Sequence, residues 1–255
     1  MRFDRILLAL TVTASIAAGT VIASAQNTRS PTVLGVVELF TSQGCNSCPP
    51  ADAALERFAA RDDVLALGYH VDYWDYLGWR DTLGSAENSK RQYDYARALK
   101  RRGVYTPQAI INGRAHTNGG HYAEISNVLG TYDDNGKGLS VDLTVTDHGD
   151  RMHVSVADGA MPAGKVHMVL VYFKRDTEIA IERGENAGKI IRYVNSVVDV
   201  QTVGMWHGEA MTVDIPLTEL AAKDADGCAV LLQEAIRGGY PGPILGAAIL
   251  PRQSS

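Results

Sequence analysis

The sequence predicts an α/β domain followed by an all-β sandwich domain, and three observations support this fold class. In the first half, short apolar runs typical of buried strands alternate with segments whose apolar residues recur every three or four positions. In the second half that period changes to two, which is typical of strands with one buried face. A polar, glycine-bearing segment, residues 133–138, separates the two patterns. We therefore expect an α/β domain over residues 31–133 and a β-sandwich over residues 138–252.

Length and composition limit the class of protein. The chain has 255 residues, and its 24 Lys and Arg against 29 Asp and Glu residues give a net charge of −5. This length is sufficient for two cores. With 45% hydrophobic and 21% charged residues, the chain is neither disordered nor a polytopic membrane protein. The mildly acidic balance also predicts no nucleic-acid partner.

The N-terminus resembles a secretory signal peptide. Arg2 and Arg5 precede an apolar stretch over residues 6–22, and small residues at 23–25 offer a cleavage site. An uncleaved anchor is the alternative, since the stretch is nearly long enough to span a membrane. We expect a signal peptide over residues 1–25, no stable membrane insertion after its cleavage, and a periplasmic or secreted protein in an oxidising compartment.

The elements of the α/β half follow in order. Strands are predicted at residues 33–40, 64–71 and 108–111, and helices at residues 49–60 and 85–102. The first strand is apolar almost throughout, as expected for a strand covered on both faces. Gly103 stands where the second helix would end, and Asn112-Gly113 predicts a hairpin turn after the third strand.

The β half shows about eight strand segments separated by turn residues. They are predicted at residues 139–145, 152–157, 166–174, 178–182, 190–203, 210–215, 229–233 and 244–249. Many short strands with regular turns favour a sandwich.

The most specific chemical feature is Cys45-Asn46-Ser47-Cys48, between the first strand and the first helix. Two cysteines at this spacing on a helix N-terminus lie close enough to form a disulfide. The helix dipole and the free backbone N–H groups there lower the pKa of the first thiol. Cys45 is therefore the candidate nucleophile and Cys48 the resolving thiol, with their redox-active disulfide as the only cofactor.

Other interpretations of the cysteines stay open. A passive disulfide closing so short a loop would add only about 2 kcal/mol of stability. A structural zinc site usually needs four ligands, and the chain has no second CxxC, so no metal site is predicted. A copper carrier using His70 and the two cysteines is a further alternative, by resemblance to thioredoxin-like copper chaperones, although those space their cysteines by three residues and this chain by two. The third cysteine, Cys228, starts an apolar run and is expected to be a buried, inert thiol. An exposed regulatory or intermolecular thiol is the alternative.

Several segments resemble a family of secreted bacterial proteins of undetermined function, in which a thioredoxin-like part precedes a β-rich part. The resemblance lies in residues 38–45, 48–52, 70–79 and 183–186, and covers most of the mature chain. The strand, the CxxC and the helix also resemble the thioredoxin-like superfamily. This likeness implies a thioredoxin-like fold for the α/β domain.

The resemblance assigns roles to three further residues. Thioredoxins present the backbone of the residue before a cis-proline to the substrate, which implies this positioning role for Thr106 and Pro107. They also bury an acid near the cysteines for proton transfer. Glu38 is the nearest counterpart, one residue further from the first cysteine than usual. Alternatively, Glu38 faces solvent from its strand.

Two other segments have less specific signals. Tyr73, Trp74 and Trp79 follow the second strand and form either a substrate surface or a packed insertion that covers the sheet. The polar turn at residues 183–186 is interpreted as an ordinary connection between strands rather than a ligand loop.

The sequence thus favours an exported thiol–disulfide oxidoreductase whose partner is a protein or a small thiol or disulfide. The alternatives are a metal (copper) carrier and a non-catalytic interaction protein of the cell envelope.

Overall fold

A computed structural model describes residues 33–251 of the chain. The predicted signal peptide, residues 1–25, lies outside the described residues. Within the described part, no helix is long and apolar enough to cross a membrane.

Strands and helices are interspersed up to residue 134, where β3 and β4 form a hairpin, and the elements beyond it are mainly strands. The strands are β1 Gly35–Thr41, β2 Val64–His70, β3 Gln108–Ile111, β4 Ala115–Asn118, β5 Leu143–Asp147, β6 Arg151–Val156, β7 Lys165–Ala180, β8 Ile190–Trp206, β9 Met211–Pro216, β10 Gly227–Ile236 and β11 Tyr240–Ile249. The helices are α1 Pro49–Ala59, α2 Ala86–Ala98, α3 Tyr122–Asp134 and α4 Thr218–Ala222, with a 3-10 turn at Asp75–Leu77.

The predicted fold class, a thioredoxin-like α/β domain followed by a β-sandwich, is wrong. One mixed eight-stranded sheet runs through both halves of the chain in the order β11-β10-β7-β8-β2-β1-β3-β4. The described residues are 43% strand and 21% helix. The junction is a parallel pairing of β2 with β8 at Gly68 and Ser196. Because β8 covers the edge of β2 that would otherwise stay unpaired, the α/β elements are part of a larger sheet.

The remaining strands form a small second layer. β5, β6 and β9 make a three-stranded antiparallel sheet that packs against β7, β8, β10 and β11 through an apolar cluster that includes Met168, Leu170 and Trp206. Period-two patterning predicts these strands correctly, but it does not specify which strands share a sheet.

The first strand separates two further cores. All seven residues of β1 are buried, and its side chains alternate between the two faces of the sheet. Val36 and Phe40 pack in a cluster with Tyr95 of α2. Val37 and Leu39 pack in a cluster on the other face with residues of α1 and α3. Helices α1 and α2 therefore lie on opposite sides of β1.

The strands β7 and β8 form a long antiparallel hairpin whose outer part we call the arm, residues 176–194. Asn195, with a φ of 47°, stands where the arm begins, in a backbone conformation that asparagine tolerates better than most residues. Beyond it the arm lies along α1. There Val194 joins the apolar cluster of α1, and Arg192 pairs with Glu56. The arm thus brings residues from the second half of the chain to the helix that follows the CxxC.

Replacing Gly113 with alanine is expected to destabilise the fold by about 3 kcal/mol or more. Gly113 has a φ of 65°, and an added Cβ would lie 2.1 Å from the carbonyl oxygen of Gly242 in β11. The left-handed conformation is unfavourable by about 1–2 kcal/mol for any residue with a Cβ, and the clash with the Gly242 carbonyl adds a further destabilisation. Urea denaturation measures the loss.

Gly136 is the matched control for this substitution. Its φ is 64°, but nothing lies within 4 Å of a Cβ added there. Gly136→Ala should therefore cost only the conformational part. Equal losses in the two variants would contradict the close packing of the β3–β4 turn on β11.

Candidate redox site

Cys45 and Cys48 form a disulfide at the junction of β1 and α1, with their Cα atoms 5.4 Å apart. Cys48 is the residue that precedes the first turn of α1, and the helix then begins with Pro49. Proline suits this position because the first N–H groups of a helix have no partner within it. Cys48 therefore lies at the positive end of the helix dipole.

Both cysteines are buried, since Cys45 is 1% exposed and Cys48 0% exposed. The two residues between them, Asn46 and Ser47, are exposed, and the Ser47 hydroxyl oxygen lies 3.4 Å from the Cys45 sulfur. The disulfide thus lies just beneath the surface. An attacking thiolate needs a direct path to a sulfur atom, so the loop over residues 42–48, which we call the CxxC loop, must shift before exchange.

The turn of the arm holds the CxxC loop. The side-chain amide of Asn186 donates hydrogen bonds to the carbonyl oxygens of Gln43 and Cys45, each at 2.9 Å, and Asn186 is itself 1% exposed. The adjacent Glu185 accepts a hydrogen bond from the backbone N–H of Asn46 at 3.4 Å. Sequence reasoning missed this contact, because it interpreted residues 183–186 as an ordinary connection.

A buried carboxyl lies one helical turn beyond Cys48. Asp52 is 4% exposed, its N–H donates to the carbonyl of Cys48, and its Oδ1 accepts a hydrogen bond from the Thr41 hydroxyl at 2.7 Å. Its Oδ2 has no hydrogen-bond partner among the described residues. Burial raises the pKa of Asp52 from 3.8 to about 7, although the nearby His70 and the Thr41 bond oppose the shift.

A buried ion pair lies next to this carboxyl and is tied to the CxxC loop. His70 Nδ1 lies 2.9 Å from Asp81 Oδ2, which also accepts a hydrogen bond from the backbone N–H of Gln43 at 2.8 Å. Burial alone would lower the pKa of His70, but the charges of Asp81 and Asp52 outweigh it and raise that pKa. Burial likewise opposes ionisation of Asp81, but the contact with His70 lowers its pKa.

The arm also supplies the aromatic side chain beside this pair. The ring of Tyr193 packs edge-on against His70 at 4.6 Å between centroids, and burial raises the pKa of its hydroxyl. That hydroxyl has no hydrogen-bond partner within residues 33–251. Asp52, His70, Asp81 and Tyr193 thus form a buried polar cluster behind the disulfide, which we call the acid cluster.

Glu38 does not belong to this site, so the proton-transfer role predicted for it is not supported by its position. Its carboxylate is fully buried, lies 2.7 Å from Arg91 Nη2 and accepts a hydrogen bond from the Tyr95 hydroxyl. Both partners belong to α2. Because side chains alternate along β1, Glu38 points to the face that α2 covers. The cysteines precede α1, which packs on the opposite face. The alternative that Glu38 faces solvent is wrong, because the side chain is 0% exposed.

The peptide bond between Thr106 and Pro107 is cis, as the resemblance implies. The indole N–H of Trp74 donates to the Thr106 hydroxyl at 2.8 Å. A Cβ added to Gly44 would lie 3.2 Å from Cβ of Trp74. Trp74 therefore connects the cis-proline to the CxxC loop, and the structure brings these predicted residues together.

The other predicted aromatic residues have mainly supporting contacts. The Trp79 indole N–H donates to the side-chain oxygen of Gln43 at 2.8 Å, and the Tyr73 hydroxyl donates to Gln92 of α2 at 3.0 Å. Tyr76 is 80% exposed in the same segment. A substrate surface formed by Tyr73, Trp74 and Trp79 stays a prediction.

The third cysteine lies outside the redox site. Cys228 is a buried free thiol, and burial raises its pKa to about 12, which agrees with the expected inert thiol. Across residues 33–251, no group of three or more His, Cys, Asp or Glu side chains is arranged to hold a metal ion.

The fold and the site define a protein with one mixed sheet, a CxxC disulfide at a strand-to-helix junction and a buried acid cluster behind it. A family model described as a protein of unknown function, DUF1223, matches residues 36–233. The chain belongs to this family.

Two solved structures are similar to the chain. An X-ray crystal structure of a protein from Agrobacterium tumefaciens is 48% identical with a TM-score of 0.80, and the match covers 88% of this chain and 97% of that one. HBP35 of Porphyromonas gingivalis is 12% identical with a TM-score of 0.58, covering 86% of this chain and 75% of that one, which is a likeness of fold alone. None of the curated proteins matches the chain.

Proposed function

We propose that this protein is an exported thiol–disulfide oxidoreductase. The observation that carries the proposal is the Cys45–Cys48 disulfide at the N-terminus of α1, with the Asp52 carboxyl buried one turn further along the helix. The helix terminus stabilises a thiolate, and a buried carboxyl with a pKa of about 7 exchanges protons readily at neutral pH.

The proposed reaction has two exchange steps. A substrate thiolate attacks the Cys45 sulfur, the bond between Cys45 and Cys48 breaks, and Cys48 leaves as a thiolate. The second substrate thiolate then attacks the substrate sulfur of the mixed disulfide and releases Cys45. A substrate dithiol is thereby oxidised to a disulfide while the two cysteines are reduced, and the reverse sequence reduces a substrate disulfide.

Asp52 is the proposed proton carrier for Cys48. When Cys48 leaves as a thiolate inside the fold, the protonated carboxyl of Asp52 gives it a proton. When Cys48 must attack, the carboxylate takes that proton back. A group can both donate and accept a proton when its pKa is close to the working pH. Burial raises the pKa of Asp52 to about 7, which is close to neutral pH.

The likeness to thioredoxin-like proteins is proposed for this site only. The CxxC at a helix N-terminus and the nearby cis bond before Pro107 support it. Thr106 and Pro107 would then position the substrate backbone. Export to the periplasm or beyond is part of the proposal, and it rests on the signal-peptide pattern of residues 1–25.

The test is trapping with single-cysteine variants. Cys48→Ala, incubated with a peptide that contains one disulfide, is expected to form a mixed disulfide at Cys45 that mass spectrometry detects. Cys45→Ala is the matched control and should form far less, because Cys45 is the proposed attacking cysteine and Cys48 lies at the first turn of α1. Equal labelling of the two variants, or none of either, would contradict the proposal.

A second candidate, a non-catalytic interaction protein with an inert disulfide, is favoured by the burial of both cysteines. It predicts that no mixed disulfide forms in either variant while the fold is intact. The copper-carrier alternative stays a prediction.

A further inference from the structure

We infer that Asn186 is a positioning residue for the redox site, which holds the CxxC loop closed over the disulfide and so controls access to Cys45. The inference rests on the proposed function and names the residue that controls exchange at that site. Asn186 lies 141 residues beyond Cys45 in the sequence, on the turn between β7 and β8.

The contacts of Asn186 are specific to the CxxC loop. One amide group donates to two carbonyl oxygens, Gln43 O before the first cysteine and Cys45 O at it. Its own side-chain oxygen accepts a hydrogen bond from Lys189 Nζ at 2.8 Å, which fixes the orientation of the amide. Because Asn186 is 1% exposed, water does not compete for these bonds. The side chain therefore fixes the backbone on both sides of Gly44.

The bonds hold the loop in the state that hides the sulfur atoms. Cys45 is 1% exposed although the residues that follow it, Asn46 and Ser47, are exposed. A modest outward shift of the loop would expose Cys45, and such a shift must break both bonds from Asn186. Glu185 adds a third contact at the N–H of Asn46. The closed loop is thus held by one turn of the arm.

The arm is attached to the rest of the protein independently of these bonds. Arg192 pairs with Glu56 of α1 and with Asp176 across the hairpin, and Val194 packs in the core beside α1. Loss of the Asn186 contacts should therefore release the CxxC loop while the arm stays in place. Such local opening requires less free energy than global unfolding.

The experiment measures reduction of the disulfide by dithiothreitol in the full chain under native conditions. Asn186→Ala is expected to raise the rate constant about thirtyfold, the factor that two ordinary hydrogen bonds correspond to. The increase should not depend on urea concentrations well below the unfolding transition, because only local opening is needed. If Asn186 had a purely structural role, its loss would lower the urea midpoint of unfolding, and the reduction rate would depend on urea concentration.

Arg192→Ala is the matched control on the same arm, since it removes the ion pairs and leaves the loop contacts. Its rate constant should stay within about twofold of the unmodified chain. If Asn186→Ala does not fold, Asn186→Asp takes its place, because it keeps the side-chain size and removes the N–H donors. An unchanged rate in a folded Asn186 variant, or equal acceleration by Arg192→Ala, would overturn the assignment. Reduction by dithiothreitol measures only access to the disulfide. The outcome for Asn186 is therefore independent of whether Cys48→Ala traps a peptide.

Discussion

Replacing Asp52 with asparagine is expected to slow disulfide exchange at pH 7 by about a hundredfold while making the protein more stable above that pH. The rate should fall because an amide does not carry a proton to or from Cys48, and general acid–base catalysis typically contributes about 10²–10⁴-fold. In the unmodified chain, exchange should show a step centred near pH 7, where Asp52 titrates. The variant should lack that step.

The stability effect has the opposite sign. Asp52 releases its proton at about pH 7 in the folded chain and near 3.8 when unfolded, because burial disfavours the charged form. Between these two values the folded state binds the proton more tightly, so stability decreases as the pH rises from about 4 to about 7. A pKa difference of about three corresponds to at most about 4 kcal/mol. The Asp52→Asn variant would avoid this loss, because its amide does not ionise.

Stopped-flow exchange kinetics and urea denaturation at pH 4 and pH 8 test both effects. Asp62→Asn is the matched control, since it makes the same chemical change at an exposed position near the end of α1. Asp62→Asn should change neither the exchange rate nor the pH dependence of stability appreciably. An Asp52 variant that is slower only in proportion to lost stability would show that the carboxyl has a structural role alone.

Arg91→Ala is expected to destabilise the fold by about 3–5 kcal/mol. The substitution would leave the Glu38 carboxylate, which is 0% exposed, without its cation in the sheet interior. Arg91 also donates hydrogen bonds to Tyr95 and to Gln233 of β10, so its loss would weaken the link between α2 and the far strands. Urea denaturation at pH 7 measures the change in the free energy of unfolding.

Lys90→Ala provides the comparison from the adjacent position of α2. Lys90 pairs with Asp94 at the surface, its side chain is 75% exposed, and its loss should cost less than about 0.5 kcal/mol. Similar losses in the two variants would contradict the buried ion pair. Disulfide exchange should be unaffected by either substitution, because Glu38 lies on the opposite face of β1 from the redox site.

The local elements of the first half could be predicted from the sequence, but their place in the sheet could not. The apolar runs indicated β1 and β2, and the strand-to-helix position of the cysteines was correct. The pairing of Gly68 with Ser196 joins segments 128 residues apart, and no periodicity carries that information. A strand with two apolar faces also does not reveal which helix covers which face. The pattern therefore left open whether Glu38 lies near the cysteines or faces solvent, and it did not indicate the pairing with Arg91 of α2.

The acid cluster was only partly accessible to sequence reasoning. Cys48, Asp52 and Leu55 are spaced four and three residues apart, so helical periodicity places all three on one face of α1. That spacing was a usable signal for a buried acid behind the disulfide. Asn186 offered no comparable signal, because its contacts depend on the tertiary placement of the arm along α1. Only the resemblance of residues 183–186 to the family marked that turn.

The most direct test of the central claim is equilibration of the native protein with glutathione buffers at pH 7. A working redox couple should reach equilibrium while the fold is intact, and the reduced fraction of Cys45 and Cys48 should follow the glutathione ratio in both directions. Acid quenching, alkylation and mass spectrometry measure that fraction. A disulfide that stays oxidised at every ratio until the chain is unfolded would contradict the account and favour an inert disulfide.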